Sequence, residues 1–346
     1  MSRRLPAGKL PHDLLARLLA EVAPADPRVL LGPGVGRDAA VLDLGDRVLV
    51  AKADPVTFAT DLIGWYVVNV NANDVACLGA TPRWFMTTVL LPEGAAPDLA
   101  ETIFHQLGDA CSRLGVALVG GHTEITVGLD RPIVAGAMLG EATRDEIVWP
   151  EGAQEGDHIH LTKGIAVEGT ALLAREAAQE LERAGVSRKV LERAAAMLFE
   201  PGISVVQDAL TLRGAARVRA LHDPTEGGLS TALYELAVGC GRALRVWDVE
   251  TVALPETREV CGALGLDPLG LLASGALLAA LPDEDCERAT QALERKGIPS
   301  FCIGRVVAGP PAVIMVGPEG ESPLRRFERD ELARLFEGLL SRGPAG

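Results

Sequence analysis

Three aspartates in the first part of the chain stand where it changes direction, and carboxylates so placed suit a hard cation. Asp38 precedes a run of strand character, and Asp54 follows the next such run. Asp74 sits in Asn71-Ala72-Asn73-Asp74-Val75-Ala76, inside a stretch apolar enough to form a buried helix. Each has an ordinary alternative: Asp38 as a turn residue, Asp54 as the start of an Asp-Pro turn, and Asp74 as a hydrogen-bonded core carboxylate, since buried carboxylates need partners. Several hard oxygen ligands in one domain make Mg²⁺ the economical partner. The formal net charge of −14 points the same way. A chain this acidic repels a bare polyphosphate and would handle one through a bridging cation.

Two glycine-bearing segments could bring backbone to a ligand. Gly120-Gly121-His122-Thr123-Glu124 follows a short apolar strand, where paired glycines permit a tight exit and close approach. An ordinary strand-end turn has the same pattern. His222-Asp223-Pro224-Thr225-Glu226-Gly227-Gly228-Leu229 sets a carboxylate and glycines between a strand and a helix start. Amides there can meet phosphate, or Asp223 or Thr225 can simply cap the helix. Lysine is scarce, with five in the chain, so Lys52 beside Asp54 and Lys163 in Thr162-Lys163-Gly164 stand out. Either could neutralise charge on a transferring phosphoryl group, though Lys163 reads more simply as a solvated strand-end lysine. His158, His160 and His105 are expected to be ordinary strand and helix histidines. P-loop, H-E-x-x-H, zinc-type cysteine and G-x-S-x-G signatures are absent, and Gly32, Gly34 and Gly36 precede a strand rather than a helix.

The elements that must position these residues fall into two α/β units. Residues 12–22 read as an amphipathic helix, and 39–44 with 48–53 as a hairpin turning at Gly45-Asp46. Asp61 is placed to cap a helix reaching about residue 78, stopped by Gly79, with a strand over 81–91. A helix over 97–114 ends at Gly115, and strands follow at 116–119 and 133–139. The order ββαβαβ gives a mixed sheet with helices on one face, leaving the other face in need of a partner. The turn-rich stretch 149–156 marks a boundary, so the expected domains are 1–150 and 151–346. The second unit has strands ending at 162 and 222 and at 276–281 and 301–307, with helices at 168–184, 187–198, 204–212, 256–264 and 284–296 and one starting at 229.

With 346 residues and 48% hydrophobic content, the chain can fill two cores, built mainly from aliphatic side chains because aromatics make up 4%. No run of Lys and Arg offers a nucleic-acid footprint. No uninterrupted apolar segment suits a membrane span or a secretory leader. Six cysteines without a C-x-x-C pair read as buried free thiols in a reducing compartment, so a cytoplasmic protein is expected.

Taken in order, Asp38-Ala39-Ala40-Val41, Ala53-Asp54, Asn73-Asp74-Val75-Ala76-Cys77-Leu78-Gly79-Ala80-Thr81-Pro82, Gly120-Gly121-His122-Thr123 and Asp223-Pro224-Thr225-Glu226-Gly227-Gly228-Leu229 resemble one superfamily of ATP-using enzymes. Its members include aminoimidazole ribonucleotide synthetase (PurM), formylglycinamidine ribonucleotide synthetase, selenophosphate synthetase, thiamine-monophosphate kinase and the hydrogenase-maturation protein HypE. The resemblance covers about residues 30–307. It implies a PurM-like two-domain α/β fold, with an N-terminal domain that pairs its exposed sheet face across a homodimer. It also implies ATP near that interface, with Mg²⁺ on Asp38, Asp54, Asp74 and Asp223 and the 32–36 loop closing over the nucleotide. Gly34, Gly36, Asn73, Gly120, Gly121, Thr123, Thr225, Gly227 and Gly228 match the positions expected to cradle the nucleotide.

Within the superfamily the chain looks most like HypE-like proteins, with two departures. HypE proteins end in a mobile tail whose last cysteine receives the carbamoyl group, whereas this sequence closes on Gly343-Pro344-Ala345-Gly346 and its last cysteine is Cys302. HypE proteins also usually carry Asp and Lys around the threonine of the glycine-pair motif, where this chain has His122 and Glu124. Carbamoyl dehydration on its own tail is therefore not expected. The resemblance implies instead an enzyme that uses Mg-ATP to phosphorylate or activate an oxygen of a small-molecule or carbamoyl-type substrate. Glu124 or His122 would be its acid or base and Lys52 would assist the transfer. A thiamine-monophosphate-type kinase is the alternative enzyme reading. A non-catalytic ATP-binding partner of another maturation protein is the alternative of a different class.

Overall fold

The computed structural model describes residues 5, 10–22, 26–34, 37–57 and 61–341. Along the first half run α1 (His12–Glu21), β1 (Val29–Leu31), β2 (Ala40–Asp43), β3 (Val48–Val56), α2 (Ile63–Cys77), β4 (Thr81–Pro92), α3 (Pro97–Leu114), β5 (Ala117–Thr126) and β6 (Ile133–Ala142). The strands form one sheet in the order β1-β2-β3-β6-β4-β5. Its pairings are antiparallel except for the parallel edge pair β4·β5.

The second half opens with β7 (His158–Thr162), α4 (Val167–Glu176), α5 (Ala178–Arg183), α6 (Arg188–Ala196), α7 (Val206–Ala215) and β8 (Ala220–His222). It continues through α8 (Gly228–Cys240), β9 (Ala243–Val246), α9 (Pro255–Leu264), β10 (Leu278–Leu281), α10 (Asp283–Glu294), β11 (Ser300–Val307), β12 (Ala312–Gly317), β13 (Gly320–Pro323) and α11 (Glu331–Ser341). Its sheet has the order β13-β12-β9-β11-β7-β10-β8. The expected division at 150/151 falls in the connection between the two sheets. No helix among the described residues is long and apolar enough to cross a membrane.

Helix α2 is central to the arrangement. Every residue in it except Val70 is buried, so it is apolar on all sides in the way a helix between layers must be. Its three asparagines survive burial because each is hydrogen-bonded. Asn69 donates to the Trp65 carbonyl, and Asn71 donates to the Asp54 carbonyl at 3.1 Å while accepting from the Asp54 amide at 2.9 Å. Asn73 donates to Ile203 O and accepts from Val205 N, each at 2.8 Å. Through Asn73 the helix ties the first half to the second, and one apolar cluster runs through both.

The sheet face opposite α2 and α3 is open. Trp84 and Met86 of β4 and Leu118, Val119 and Ile125 of β5 are exposed there and along the edge. So much exposed apolar surface on one sheet marks an interaction face.

Several expected features differ. Asp61 does not cap α2; Leu62 holds that position in the left-handed region, and the Asp61 carboxylate turns to Arg175. The helix expected over 168–184 breaks at Ala177 into α4 and α5. Lys163 is buried rather than solvated, with Nζ 3.1 Å from Asp208. The cysteines are free, but Cys240 and Cys286 are half-buried and Cys302 is exposed on β11.

Candidate functional site

Strand β3 and helix α2 lie side by side, and Asn71 stitches them together at Asp54. That pairing directs Lys52, two residues earlier on the strand, toward Asp74, one turn further along the helix. Lys52 Nζ lies 2.8 Å from Asp74 Oδ2 and 3.1 Å from Asp54 Oδ2. Burial works against charge on Lys52, but Asp74 and then Asp54 outweigh it and hold its ammonium well above the usual range. Asp74 has the opposite problem. Burial pushes its carboxyl up, Lys52 opposes the shift, and Asp223, Asp38 and Asp54 add repulsion.

The end of β8 in the second half brings His222 and Asp223 to the same place, where they meet Asp38 of the first half. His222 bridges two carboxylates, with Nδ1 3.3 Å from Asp38 and Nε2 2.9 Å from Glu235. Burial alone would lower the imidazole pKa, yet these neighbours raise it well above its ordinary value. Asp223 is buried beside them and accepts from Cys77 Sγ at 3.5 Å. Burial, and next the charge of Asp38, push its carboxyl up to about 6. Ligand atoms of Asp38, His222 and Asp223 all lie within 4.8 Å of one another, the one such three-donor group among the described residues.

Apart from Asn71, Cys77 and Asp223, which do not reach its surface, these side chains line a cavity of about 410 Å³. Asp38, Lys52, Asp54 and Asp74 line one wall; Glu168, His222, Thr225 and Glu226 line the other. A second cavity of about 440 Å³ lies beyond Arg37 and Glu235 and includes none of the four aspartates. The chemistry is concentrated in the first. Its donor set of hard carboxylates, with Asp74 and Asp223 held up first by burial and then by the charge of their acidic neighbours, fits a divalent cation.

The four aspartates expected to bind metal converge, but as two pairs: Asp38 with Asp223 around His222, and Asp54 with Asp74 around Lys52. Gly34 and Thr225 line the cavity, while Gly36 lies outside the described residues. Three expectations for nucleotide contacts meet competing structural roles. The Asn73 amide is spent on Ile203 and Val205. The Gly227 amide donates to Asp330 at 2.7 Å. Gly228 is a close-approach residue, since a Cβ there would lie 2.5 Å from the Leu269 carbonyl oxygen.

Gly120, Gly121, His122, Thr123 and Glu124 stand apart from the cavity. They do not form a strand exit but continue β5, paired in register with residues 86–90 of β4. Gly121 is required by that pairing, because a Cβ would meet the Thr87 carbonyl oxygen at 1.9 Å. Strands β6 and β4 separate β5 from β3, a gap of roughly 14 Å at the usual strand spacing. His122 and Glu124 contact each other at 3.2 Å, both exposed. Neither lines the cavity.

Sequence reasoning missed Glu168, Glu235 and Ser274 and quoted His222 without a role. Glu168 carried a readable sign, as the one charged side chain in the apolar run 165–174, the same pattern that singled out Asp74.

Comparison with known proteins gives the arrangement its context. The family model "AIR synthase related protein, N-terminal domain" matches residues 36–142, and the corresponding C-terminal domain model matches 154–317. A protein of Methanocaldococcus jannaschii described as a hydrogenase expression/formation protein is 28% identical over 266 residues, 74% of each chain. The carbamoyl dehydratase HypE of Escherichia coli is 28% identical over 289 residues, 78% of this chain and 81% of that one. A crystal structure of the hydrogenase maturation protein HypE in complex with ATP superposes with a TM-score of 0.66 at 25% identity, covering 94% of this chain and 97% of that one. The chain belongs to the AIR synthase related protein family and has its two-domain, PurM-like α/β fold.

Proposed function

We propose that this protein is an ATP-dependent enzyme that transfers a phosphoryl group to an oxygen of a small molecule with the help of Mg²⁺, with domains dividing near residue 150. The observation that carries this reading is the convergence of two carboxylate pairs, Asp54 with Asp74 within the first half and Asp38 with Asp223 across the two halves, at one cavity that Asp38, Asp54 and Asp74 line. The ATP-bound HypE structure and the carbamoyl dehydratase relative support ATP as the nucleotide and an enzyme as the class.

In this reading Asp38 and Asp223 hold the divalent cation, with Asp54 and Asp74 completing the acidic wall. The cation, when bound, neutralises phosphate charge. Lys52 keeps Asp54 and Asp74 at fixed positions, so their charge is organised before substrate arrives. His222 does the same for Asp38 and is itself fixed by Glu235. His122 and Glu124 act across a homodimer, with β5 of one protomer facing the cavity of its partner. The apolar face around Trp84, Met86 and Ile125 supports such pairing, and the six free thiols suit a cytoplasmic location.

Calorimetric titration with ATP, with Mg²⁺ and then with EDTA, tests the reading. Binding that requires Mg²⁺ and is weakened at least about tenfold by Asp223→Asn is expected. ATP binding that ignores both changes refutes the metal arrangement. Mg-ATP binding without turnover on any acceptor would favour the non-catalytic partner reading.

A further inference from the structure

Glu168 is a buried carboxylate with an unfinished set of interactions. It is the second residue of α4, 6% exposed, and its Oε2 has no hydrogen-bond partner. The Ser274 hydroxyl donates to the carboxylate. The amides that open α4 are not available, because Glu168 N donates to Ser274 O at 3.2 Å and Gly169 N to Leu272 O at 2.9 Å. A buried carboxylate oxygen left this way costs stability unless something completes it.

The cavity offers a way to complete it, since Glu168 forms part of the wall together with Leu172, Leu272, Ser274 and Glu226. The charge around it is one-sided. Among the described residues no Lys or Arg lies within ion-pair distance of Glu168 or Glu226; of the cavity's cations, Lys52 and His222 are already held by Asp54, Asp74, Asp38 and Glu235, and Arg37 is 3.6 Å from Glu151. The charged groups that act on Glu168 are Asp330, Asp223 and Glu226, all of one sign. The buried Tyr66 hydroxyl, also without a partner, is the polar neighbour on the α2 side. An anionic ligand would be repelled here. A metal ion at this end has fewer carboxylates than at the other, where Asp38, His222 and Asp223 form the three-donor group among the described residues, a group that Glu168 does not join.

We infer that the substrate presents an organic cation, an ammonium or amidinium group, to Glu168, with its phosphoryl-accepting oxygen toward the aspartate wall. This rests on the phosphoryl-transfer reading of the cavity for the second half of the statement; the cation site stands on Glu168 alone. N–H donors on a positive group satisfy Oε2 and offset the surplus charge in one contact. The site is prepared for this exchange: burial holds the Glu168 carboxyl up to about 7. An arriving cation favours the carboxylate, so binding near neutral pH releases a proton.

The test uses the full chain, titrated by calorimetry with ethanolamine, ethylene glycol and glycolate, each with and without saturating Mg²⁺ and a non-hydrolysable ATP analogue. Ethanolamine is expected to bind most tightly and to release protons, read from heats in buffers of different ionisation enthalpy. Glu168→Gln should weaken it by roughly tenfold to a hundredfold, and Glu168→Asp, which keeps the charge but withdraws the oxygen, by less. Equal affinity for glycolate, no ethanolamine binding, or unchanged affinity in Glu168→Gln overturns the inference. If ethanolamine binds through Glu168 while the nucleotide analogue does not bind, the cation site stands and the ATP reading falls.

Discussion

Replacing Lys52 by Met removes the cation from between two carboxylates while keeping most of the side-chain volume. The pair that matters is Lys52 with Asp74, at 2.8 Å with side chains 16% and 8% exposed. Removing one partner of a buried pair costs about 3–5 kcal/mol, because the other is left as an uncompensated charge. Asp54 is 47% exposed, so its loss adds little after solvent screening. Asp74 can escape part of the cost by taking a proton, since burial already raises its pKa. The low end, about 3 kcal/mol, is therefore expected, which corresponds to a drop in melting temperature of roughly 4 °C for a chain of this size. The loss should shrink at acid pH, where Asp74 is neutral in either protein. Added Mg²⁺ should raise the melting temperature of the variant more than that of the wild type, because it replaces the missing positive charge. Adding Asp74→Asn to Lys52→Met should recover at least about 1 kcal/mol relative to the sum of the single changes. A melting shift under about 2 °C, or strict additivity, would refute the view that Lys52 organises this wall.

Three further outcomes follow from the geometry. Glu168→Gln should leave stability unchanged below pH 4.5 and increase it as pH rises to about 7. The sign holds because a carboxyl raised in the folded state loses stability as it ionises; the gain above pH 7 reaches about 3 kcal/mol, and a pH-independent difference in thermal melts contradicts it. Asn73→Ala strips the partners from Ile203 O and Val205 N and should cost roughly 2–5 kcal/mol in thermal unfolding, against well under 1 kcal/mol if those groups find water. Trp84→Glu, on the open sheet face, should give monomers by light scattering from a wild type that is dimeric; a monomeric wild type removes the homodimer proposal.

Elements framed by strong local chemistry were legible in the sequence. Helix α3 runs over the expected 97–114 because Pro97 begins it and Gly115, at φ +65°, ends it. The β2–β3 hairpin followed from alternation and a Gly45-Asp46 turn. Short strands such as β9, β12 and β13, with four to six residues each, give too few positions for a period to emerge, and they were missed. The glycine pair has a structural use at one position: Gly121 signalled close backbone approach, and the approaching group is Thr87 on β4, whereas a Cβ at Gly120 would meet open space. For the site, the aspartates were readable one by one from their apolar surroundings. The division into two pairs was not, because Lys52 and His222 acquire their roles from contacts that cross 22 residues in one case and 184 in the other.

Helix α2 also governs how errors in this protein are distributed. Asn71, Asn73 and Asp74 leave nearly the same turn in different directions, toward β3, toward residues 203–205 and toward Lys52. A slip of one residue within α2 would rotate all three by about 100° and sever every connection together. Insertions or deletions between 63 and 77 should therefore abolish folding outright instead of yielding a folded chain with a faulty cavity. Quality control of the carboxylate spacing is thus vested in folding itself: a molecule that has closed its core has already set the distance between Asp54 and Asp74.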